Sequence, residues 1–437
     1  MAFLFRALCA AFALTLSAHA SAQLTRAEAR MTATVDAEQD RTVAMLEKWV
    51  NQNSGTMNFA GVKAVGGMLR SELEPLGFKV DWIDISGANR AGHIVARRKG
   101  NGRGLRLLLI AHLDTVFEPD SPFQRWTREG NLGHGPGAGD NKGGMAVVIA
   151  ALRAMKAAGT LKNANITVFL TGDEEDAGPL EISRRDLVAA GKWADVALDF
   201  EGLAQLDGRD MGSVARRSSD EWSLAVTARS GHSSGVFGPT AGFGAVFELS
   251  RIIDSFRREV PEDKLTFNVG LIGGGTTAEL AKDNLSISAT GKTNIIAGTA
   301  IARGDLRAIS PEQIARAQAK MRAIVAQPLG GATAQITFAP DGYPPMAPTE
   351  GNRALLTKLN DVNRDMGLPE MGELDPVRRG AADISFVAKD VDGLAGLGPA
   401  GSGAHSPRER VDIASIHLQA KRAAILMSRL AREKRRR

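Results

Sequence analysis

The sequence predicts an α/β protein built on a mostly parallel β-sheet, with a smaller two-layer α+β domain inserted into it. Continuous apolar runs ending in polar residues indicate buried parallel strands at 105–111, 166–170 and 195–200. Helix-spaced apolar residues separate these strands at 142–158 and 181–192. Such alternation of strand and helix is typical of a doubly wound sheet.

Flanking segments extend this larger domain at both ends. Before the sheet, the pattern predicts helices at 28–51 and 61–76 and a strand at 79–83. After the insertion, two helices are predicted at 352–366 and 413–432. The larger domain is therefore expected to comprise residues 23–216 and 344–437.

The predicted insertion covers residues 217–343, where the character of the chain changes. Alternating segments indicate strands, and helix-spaced segments lie between them. The predicted strands are 222–229, 265–272, 285–290, 302–308 and 334–339, and the predicted helices are 243–258 and 311–327. This order is a βαββαβ-like, ferredoxin-like unit, which folds as a two-layer sandwich.

Length and composition exclude several classes of protein. A chain of 437 residues with 43% hydrophobic and 24% charged residues is typical of a globular protein of two or three domains. The net charge of +5 is modest, and no basic stretch is interleaved with aromatic residues. A nucleic-acid partner is therefore not expected.

The first 22 residues resemble a signal peptide. Arg6 precedes an apolar run at 7–16, and small residues follow, so cleavage is expected near Ala20 or Ala22. A membrane anchor is the alternative, but this run is shorter than the roughly 20 residues that span a bilayer. We expect a periplasmic or secreted protein without a membrane segment. The only cysteine, Cys9, lies in the signal, so a mature metal site would use His, Asp and Glu.

Residues capable of binding metal follow the predicted strands, at the edge where open α/β sheets bind ligands. Each group also has an interpretation that involves no metal: a polar turn, a phosphate-binding Gly-rich loop, a solvated acidic turn or a surface histidine. The groups are His112 with Asp114, the Gly-rich loop 135–144 with Asp140, the acidic run 173–176, Glu201, and His405 in the loop 401–406.

Together, these residues point to a site with two zinc ions. Asp140 can bridge the ions, with His112 and Glu201 on one and Glu175 and His405 on the other. Imidazole and carboxylate ligands with an open position are typical of catalytic zinc. Two zinc ions also explain how so many acids can lie together.

At these motifs the chain resembles the M20 family of metallopeptidases, and within it the glutamate carboxypeptidase (carboxypeptidase G) group. The motifs occur in order as His112-Leu113-Asp114, Gly135-Pro136-Gly137 with Asp140-Asn141-Lys142-Gly143-Gly144, Asp173-Glu174-Glu175, Asp199-Phe200-Glu201 and Ala404-His405-Ser406. The resemblance implies the same zinc ligands, Glu174 as general base, Asp114 as the residue that orients His112, and a cis peptide after Asp140. Zinc lowers the pKa of a bound water to about 7, and Glu174 would take its proton.

The resemblance also implies a role for the inserted domain as a lid. His232, in Ser230-Gly231-His232-Ser233-Ser234, would donate to the oxyanion in the partner subunit's active site, which makes the enzyme a homodimer. Asn294 and Arg307 would bind the substrate carboxylate. The chain departs from the carboxypeptidases in the loop 378–383, which replaces a Gly-rich, Thr-containing segment. Its Arg378 and Arg379 offer two further cations for an acidic side chain.

The expected function is that of a zinc carboxypeptidase that releases a C-terminal amino acid from small peptides, folate-like compounds or N-acyl amino acids. Glutamate is the candidate residue, and a Glu-assisted zinc hydroxide is the expected nucleophile. An aminoacylase with the same dinuclear site is the first alternative. A zinc-free binding module is the second, but all five ligands and Glu174 are present in the sequence.

Overall fold

A computed structural model describes residues 23–101 and 103–435 of the protein. The predicted signal peptide and Cys9 lie outside the described residues. Among the helices that are described, none combines the length and the apolar character that crossing a bilayer requires.

Every predicted helical segment has a counterpart among ten described α-helices. They are α1 (Arg26–Ala37), α2 (Gln39–Val50), α3 (Phe59–Leu73), α4 (Lys142–Ala157), α5 (Leu180–Ser183), α6 (Arg185–Trp193), α7 (Ala245–Glu259), α8 (Pro311–Val325), α9 (Glu350–Asp365) and α10 (Ile413–Leu430). Two predicted helices are each divided in two: the segment 28–51 breaks at Glu38, and 181–192 breaks at Arg184.

The strands are more numerous than the sequence pattern predicted. They are β1 (Lys79–Asp84), β2 (Gly92–Arg98), β3 (Arg106–His112), β4 (Thr127–Glu129), β5 (Leu132–His134), β6 (Asn165–Thr171), β7 (Val196–Asp199), β8 (Ala204–Leu206), β9 (Arg209–Gly212), β10 (Asp220–Ala228), β11 (Thr266–Phe267), β12 (Leu271–Gly275), β13 (Thr277–Leu280), β14 (Ile287–Thr290), β15 (Thr299–Arg307), β16 (Ala332–Phe338), β17 (Gly372–Glu373), β18 (Gly393–Leu394), β19 (Gly401–Ser402) and β20 (Arg410–Asp412).

The central sheet has six strands in the order β1-β2-β6-β3-β7-β18. The four strands from β6 to β18 pair in parallel, whereas β1 and β2 form an antiparallel edge. This arrangement confirms the predicted mostly parallel sheet. The parallel strands point their carboxyl ends to one edge, where His112 and Asp199 end their strands.

Helices cover both faces of the central sheet, as the side chains of β3 show. Leu107 and Leu109 pack into one apolar cluster with α4 and α10, while Leu108 and Ile110 pack into another with α6. All four side chains are buried. Because successive side chains of a strand point to opposite faces, a continuous apolar run requires a covering layer on each side.

A second, antiparallel sheet forms the predicted two-layer unit. Its order is β16-β10-β15, with β11 and β12 pairing side by side along β15. Helices α7 and α8 pack on it around a separate cluster that contains Trp222 and Phe256. These elements run from Asp220 to Phe338 and lie inside the predicted range 217–343. The exact limits of the inserted domain stay a prediction.

Strand β2 was not predicted from the sequence. Its residues include His93 and two arginines, which interrupt the apolar pattern. The structure accommodates His93 because Nε2 lies 2.8 Å from the carbonyl oxygen of Ser183 and Nδ1 accepts from the N–H of Gly172 at 3.1 Å. Both partners are remote in sequence, so local periodicity could not indicate this strand.

Candidate metal centre

His112 and Asp114 lie together at the end of β3, as their spacing predicted. His112 Nδ1 is 3.4 Å from Asp114 Oδ1, and its Nε2 is 3.0 Å from Asp140 Oδ1. Burial opposes protonation of His112, but hydrogen bonds to both carboxylates raise its pKa well above the ordinary value. The ring is therefore oriented with one nitrogen held by Asp114 and the other directed to the centre, as expected for a metal-binding histidine.

Asp114 also ties the acidic loop to this strand. Its carboxylate accepts the backbone N–H groups of Glu174 and Glu175, both at 3.1 Å, and the hydroxyl of Thr56 at 2.7 Å. Burial opposes ionisation, yet the hydrogen bonds, led by that of His112, lower the pKa of Asp114. Asp114 thus stays charged and holds His112, the acidic loop and Thr56 in position.

Asp140 lies between two histidines. Its Oδ1 faces His112 Nε2, while its Oδ2 lies 3.2 Å from His405 Nε2. The peptide bond after Asp140 is cis, as the family resemblance implied. At the start of α4, a Cβ on Gly144 would lie 2.0 Å from the carbonyl oxygen of Phe200, so only glycine lets this helix approach the end of β7.

The four acids of the run 173–176 separate in the fold. Asp173 is buried against Arg184, with 2.6 Å between Oδ1 and Nη1, and Asp176 pairs with Arg90 at the surface. Only Glu174 and Glu175 face the centre. The alternative of a solvated acidic turn therefore applies to Asp176 alone.

Glu174 and Glu175 lie in an environment that disfavours two negative charges. Burial is the main cause of the raised pKa of both carboxyls, and neighbouring acids add to it, notably Glu201 at Glu174 and Asp140 at Glu175. Glu175 Oε2 is 3.1 Å from His405 Nε2, and within the described residues its buried Oε1 has no hydrogen-bond partner. An orphaned carboxylate oxygen aimed into an acidic cluster fits a cation site.

Glu201 and His405 reach the centre from β7 and from the loop after β19. Glu201 Oε2 is 2.6 Å from Arg216 Nη2. Hydrogen bonds to Asp140 and Glu175 raise the pKa of His405 to about 11. His405 has a φ of 61°, an uncommon backbone conformation for a residue other than glycine, so the loop turns this side chain inward at some cost.

The structure brings all five candidate ligands and Glu174 together. Ligand atoms of His112, Asp140 and Glu175 lie within 4.8 Å of one another, and so do those of His112, Glu174 and Glu201. The donor set consists of imidazole and carboxylate, which suits zinc. The raised pKa of both histidines favours their protonation beside the acids, and a bound cation would displace those protons.

The three predicted lid residues lie apart from this cluster. His232 and Asn294 are exposed neighbours, because the N–H of Ser233 donates to the carbonyl of Asn294 at 2.9 Å. His232 Nδ1 lies 2.8 Å from the hydroxyl of Ser234. Arg307 Nε is 2.8 Å from Asp305 Oδ2, and a Cβ on Gly380 would lie 3.7 Å from Arg307 Nη1. Arg307 thus approaches the loop that carries Arg379.

Glu409 is a structural residue of the site that sequence reasoning missed. Its carboxylate accepts the N–H groups of Gly137, Gly139 and Asp140 at 3.3, 2.9 and 3.0 Å, and burial raises its pKa to about 7. It therefore holds the Gly-rich loop in position. A single Glu more than 260 residues from that loop gives no local signal.

Arg184 and Tyr343 were missed for the same reason. Arg184 is buried, binds Asp173 and Asp383, and donates from Nη2 to the Tyr343 hydroxyl at 2.8 Å. That hydroxyl donates in turn to the carbonyl of Glu174 at 3.0 Å. This network supports the main chain of the acidic loop at the carbonyl of Glu174, whereas Asp114 accepts the N–H of the same residue.

An open α/β sheet with a cluster of histidines and carboxylates at one edge is typical of the metal-dependent hydrolases. Within that class, residues 108–429 match the model of peptidase family M20/M25/M40, and the chain belongs to this family. The resemblance drawn from the sequence motifs is thereby confirmed. The protein is a metallopeptidase-type hydrolase of the M20 family.

Individual relatives agree with this assignment. The chain is 29% identical over 391 residues to carboxypeptidase G2 of Pseudomonas sp. (strain RS-16), covering 87% of this chain and 86% of the relative. It is 28% identical over 202 residues to the succinyl-diaminopimelate desuccinylase of Leptothrix cholodnii, covering 44% and 51%. A tripeptidase from Staphylococcus aureus has the same fold, with a TM-score of 0.69, 19% identity and coverage of 90% and 99%.

Proposed function

We propose that this protein is a zinc-dependent carboxypeptidase that hydrolyses an amide bond and releases a C-terminal amino acid. The observation that carries the proposal is the position of Asp140, whose two oxygens face His112 and His405 while Glu174 lies in the same cluster. The likeness to carboxypeptidase G2 along most of the chain supports the same reaction. Small peptides, folate-like compounds and N-acyl amino acids are the candidate substrates.

Two zinc ions would be shared by Asp140, with His112 and Glu201 holding one and Glu175 and His405 the other. When bound, they would supply Lewis acidity at the scissile carbonyl and a more acidic water. Glu174 takes the proton of the attacking water and returns it to the nitrogen of the leaving amine. Desolvation of Glu174 raises the pKa of its carboxyl, which favours proton uptake.

The lid supplies substrate contacts in this proposal. The guanidinium of Arg307 and the amide of Asn294 bind the free carboxylate of the C-terminal residue, the former through paired hydrogen bonds. His232 of the partner subunit donates to the oxygen that becomes negative during attack. The exposure of His232 and Asn294 side by side on one lid surface supports a site completed by a second subunit.

Exposed apolar side chains on the lid support a homodimer. Large exposed apolar residues in the described chain number eight, and five of them belong to the predicted lid: Phe237, Val246, Phe247, Ile272 and Leu285. Such a concentration marks an interaction surface. Ile272 lies on β12, which pairs with β15, so the exposed apolar side chains include one on the lid sheet itself.

Complementation between inactive subunits tests the homodimer and the role of His232. We expect His232→Ala and Glu174→Gln homodimers to be inactive, whereas a heterodimer isolated through two different tags regains about half of the wild-type turnover, since one of its two sites is complete. Adding Phe247→Glu to both chains should abolish recovery by separating the subunits. Ala323→Glu, on the exposed side of α8, is the matched control. An inactive heterodimer would contradict action of His232 across the interface.

Metal dependence tests the reaction class. We expect chelation to remove turnover of dipeptides and folate-like substrates, and two equivalents of zinc per subunit to restore it. Losing the metal removes several kcal/mol of transition-state stabilisation, which is about 10³-fold in rate or more. Turnover that survives complete chelation, verified by elemental analysis, would refute the zinc proposal and favour a metal-free role for the fold.

An aminoacylase or deacylase is the second candidate, favoured by the likeness to a desuccinylase. Both reactions use the same centre and differ in the acyl group that is accepted. Comparing N-acetyl amino acids with dipeptides and a folate-like substrate separates them. Turnover of the acetylated compounds alone would assign the protein to the deacylases.

We further infer export to the periplasm or the medium, from the signal sequence ahead of the described residues. The mass of the mature protein from its host would test this. Loss of the segment up to Ala20 or Ala22 is the expected result, and an intact amino terminus would contradict it.

A further inference from the structure

A cavity of about 580 Å³ opens at the edge of the central sheet opposite to the metal centre. Arg106 lines it at the start of β3, whereas His112 ends the same seven-residue strand at the metal centre. A strand of that length separates its two ends by roughly 20 Å. The volume is in the range of small-molecule sites. The cavity is therefore a candidate binding site that the proposed hydrolysis does not use.

Part of the cavity lining is apolar and comes from α6 and β6. Ala190 and Ile166 are buried there, beside the half-buried indole of Trp193. The guanidinium of Arg106 lies 5.6 Å from the centre of the indole ring, and its Nε and Nη2 bind Asp195 at 3.0 and 2.8 Å. Because Arg106 is fixed by two hydrogen bonds, the indole beside it is held in position. The cavity thus offers an aromatic surface to the apolar part of a ligand.

The rest of the lining is strongly cationic. Five of the described lining residues are basic and one is acidic: Arg97, Arg98, Lys99, Arg106 and Arg435 against Asp186. The carboxylate of Asp186 is already paired, since its Oδ2 lies 3.1 Å from Arg185 Nη2. The single acid of the lining therefore does not offset the five cations.

Carboxylates near the cavity are also too few to neutralise these cations. Asp195 is shared, because its Oδ1 lies 2.8 Å from Arg106 and its Oδ2 lies 3.1 Å from Arg435. In the described part of the chain, Arg98 donates to two backbone carbonyl groups, at 3.3 and 3.2 Å, and forms no ion pair, and Lys99 forms none either. An uncompensated positive charge in a concave site attracts anions.

We propose that this cavity binds a small organic anion in which a flat apolar ring carries a dianionic group, the chemistry of an aryl phosphate. Trp193 and the apolar lining contact the ring, while Arg98, Lys99 and the neighbouring arginines bind the phosphate oxygens. Two cations without an acidic partner match a dianion better than a monocarboxylate. The proposal goes beyond the proposed function, because this ligand is neither the substrate nor a metal.

Calorimetric titration of the purified protein with three probes tests the proposal. 1-Naphthyl phosphate carries both the ring and the dianion, 1-naphthol carries the ring alone, and inorganic phosphate carries the charge alone. We expect one equivalent of 1-naphthyl phosphate to bind per subunit, at least about tenfold more tightly than either of the other two, since ring burial and charge-assisted hydrogen bonds both contribute. The titrations are made with and without bound zinc, and the affinity should be the same.

Variants of the lining separate the two halves of the site. Arg98→Gln with Lys99→Gln should weaken 1-naphthyl phosphate by about tenfold or more and leave 1-naphthol unchanged. Trp193→Leu should weaken both ring compounds and leave inorganic phosphate unchanged. Lys162→Gln is the matched control, because Lys162 is an exposed lysine outside the lining. Circular dichroism and zinc content verify that each variant is folded, and the charge variants decide the question if Trp193→Leu does not fold.

Several results would overturn the proposal. Equal affinity for inorganic phosphate would show a simple counter-ion site, and equal affinity for 1-naphthol would show an apolar site without anion recognition. Binding that requires zinc would place the anion at the metal centre instead. Wild-type affinity in the Arg98 and Lys99 double variant, or the same loss in Lys162→Gln, would also exclude this cavity. Failure of the proposed peptidase activity would leave these measurements unaffected, because they need no turnover.

Discussion

Replacing Glu174 with glutamine is expected to lower kcat by about 10²- to 10⁴-fold while both metal ions remain bound, because the base is lost and the ligands are not. The substitution should leave the site in place. The backbone N–H of Glu174 donates to Asp114 at 3.1 Å, and its carbonyl accepts from Tyr343 at 3.0 Å. Steady-state turnover and elemental analysis of the same sample measure the two quantities together.

Asp176→Asn is the matched control for this experiment. Asp176 belongs to the same acidic run, but its side chain is 62% exposed and pairs with Arg90 away from the centre. We expect it to keep nearly full turnover. Retention of turnover within about tenfold in Glu174→Gln would remove Glu174 from its role as the base.

Asp140→Asn is expected to have an equally large effect through a different cause. Because the two oxygens of Asp140 face both histidines, an amide at this position loses a shared negative ligand. Metal content should fall from two ions per subunit to one or fewer, and turnover by about 10³-fold or more. Zinc should raise the melting temperature of the wild-type protein, since it binds the folded state, but hardly that of the variant.

Asp120→Asn controls for the loss of one acidic charge, since Asp120 is exposed and lies in the same part of the chain. It should bind two ions and show the wild-type thermal shift. Two tightly bound ions in Asp140→Asn would exclude Asp140 as the bridge and require a different division of ligands.

Binding of two metal ions would change which side chains of the site carry protons. Without metal, hydrogen bonds to Asp140 and Glu175 raise the pKa of His405 to about 11. This histidine is then protonated at neutral pH, and its positive charge stabilises the two carboxylates. A metal ligand must give up that proton. In the proposed site, zinc binding would therefore be coupled to proton release, and its affinity would fall as the pH is lowered.

Sequence reasoning succeeded for the residues that lie at strand ends. His112 and Asp114 follow an unbroken apolar run, and Asp140 follows a Gly-rich loop before a helix. Parallel strands bring their carboxyl ends to one edge, so residues at these ends converge whatever their separation in the chain. The convergence of His112, which ends β3, with Glu201, which follows β7, is an example, because these two strands pair in parallel.

Sequence reasoning could not find residues whose roles depend on long-range contacts. Glu409 supports the Gly-rich loop, Arg184 supports the acidic loop, and Arg216 joins Glu201 to the loop of Arg379. A charged residue in a buried ion pair looks like any surface charge until its partner is known. Only the fold separates Arg379, with its buried and unpartnered nitrogens, from exposed Arg378.

The order of residues along this chain was enough to predict its α/β architecture, its family and the side chains able to hold metal, because periodicity and strand-end position are local properties. The tertiary structure decided which acids of the run 173–176 face the centre, how Asp140 lies between two histidines, and which cations line the cavity at the opposite edge of the sheet. Those features depend on burial and on distances between remote segments, which packing alone determines.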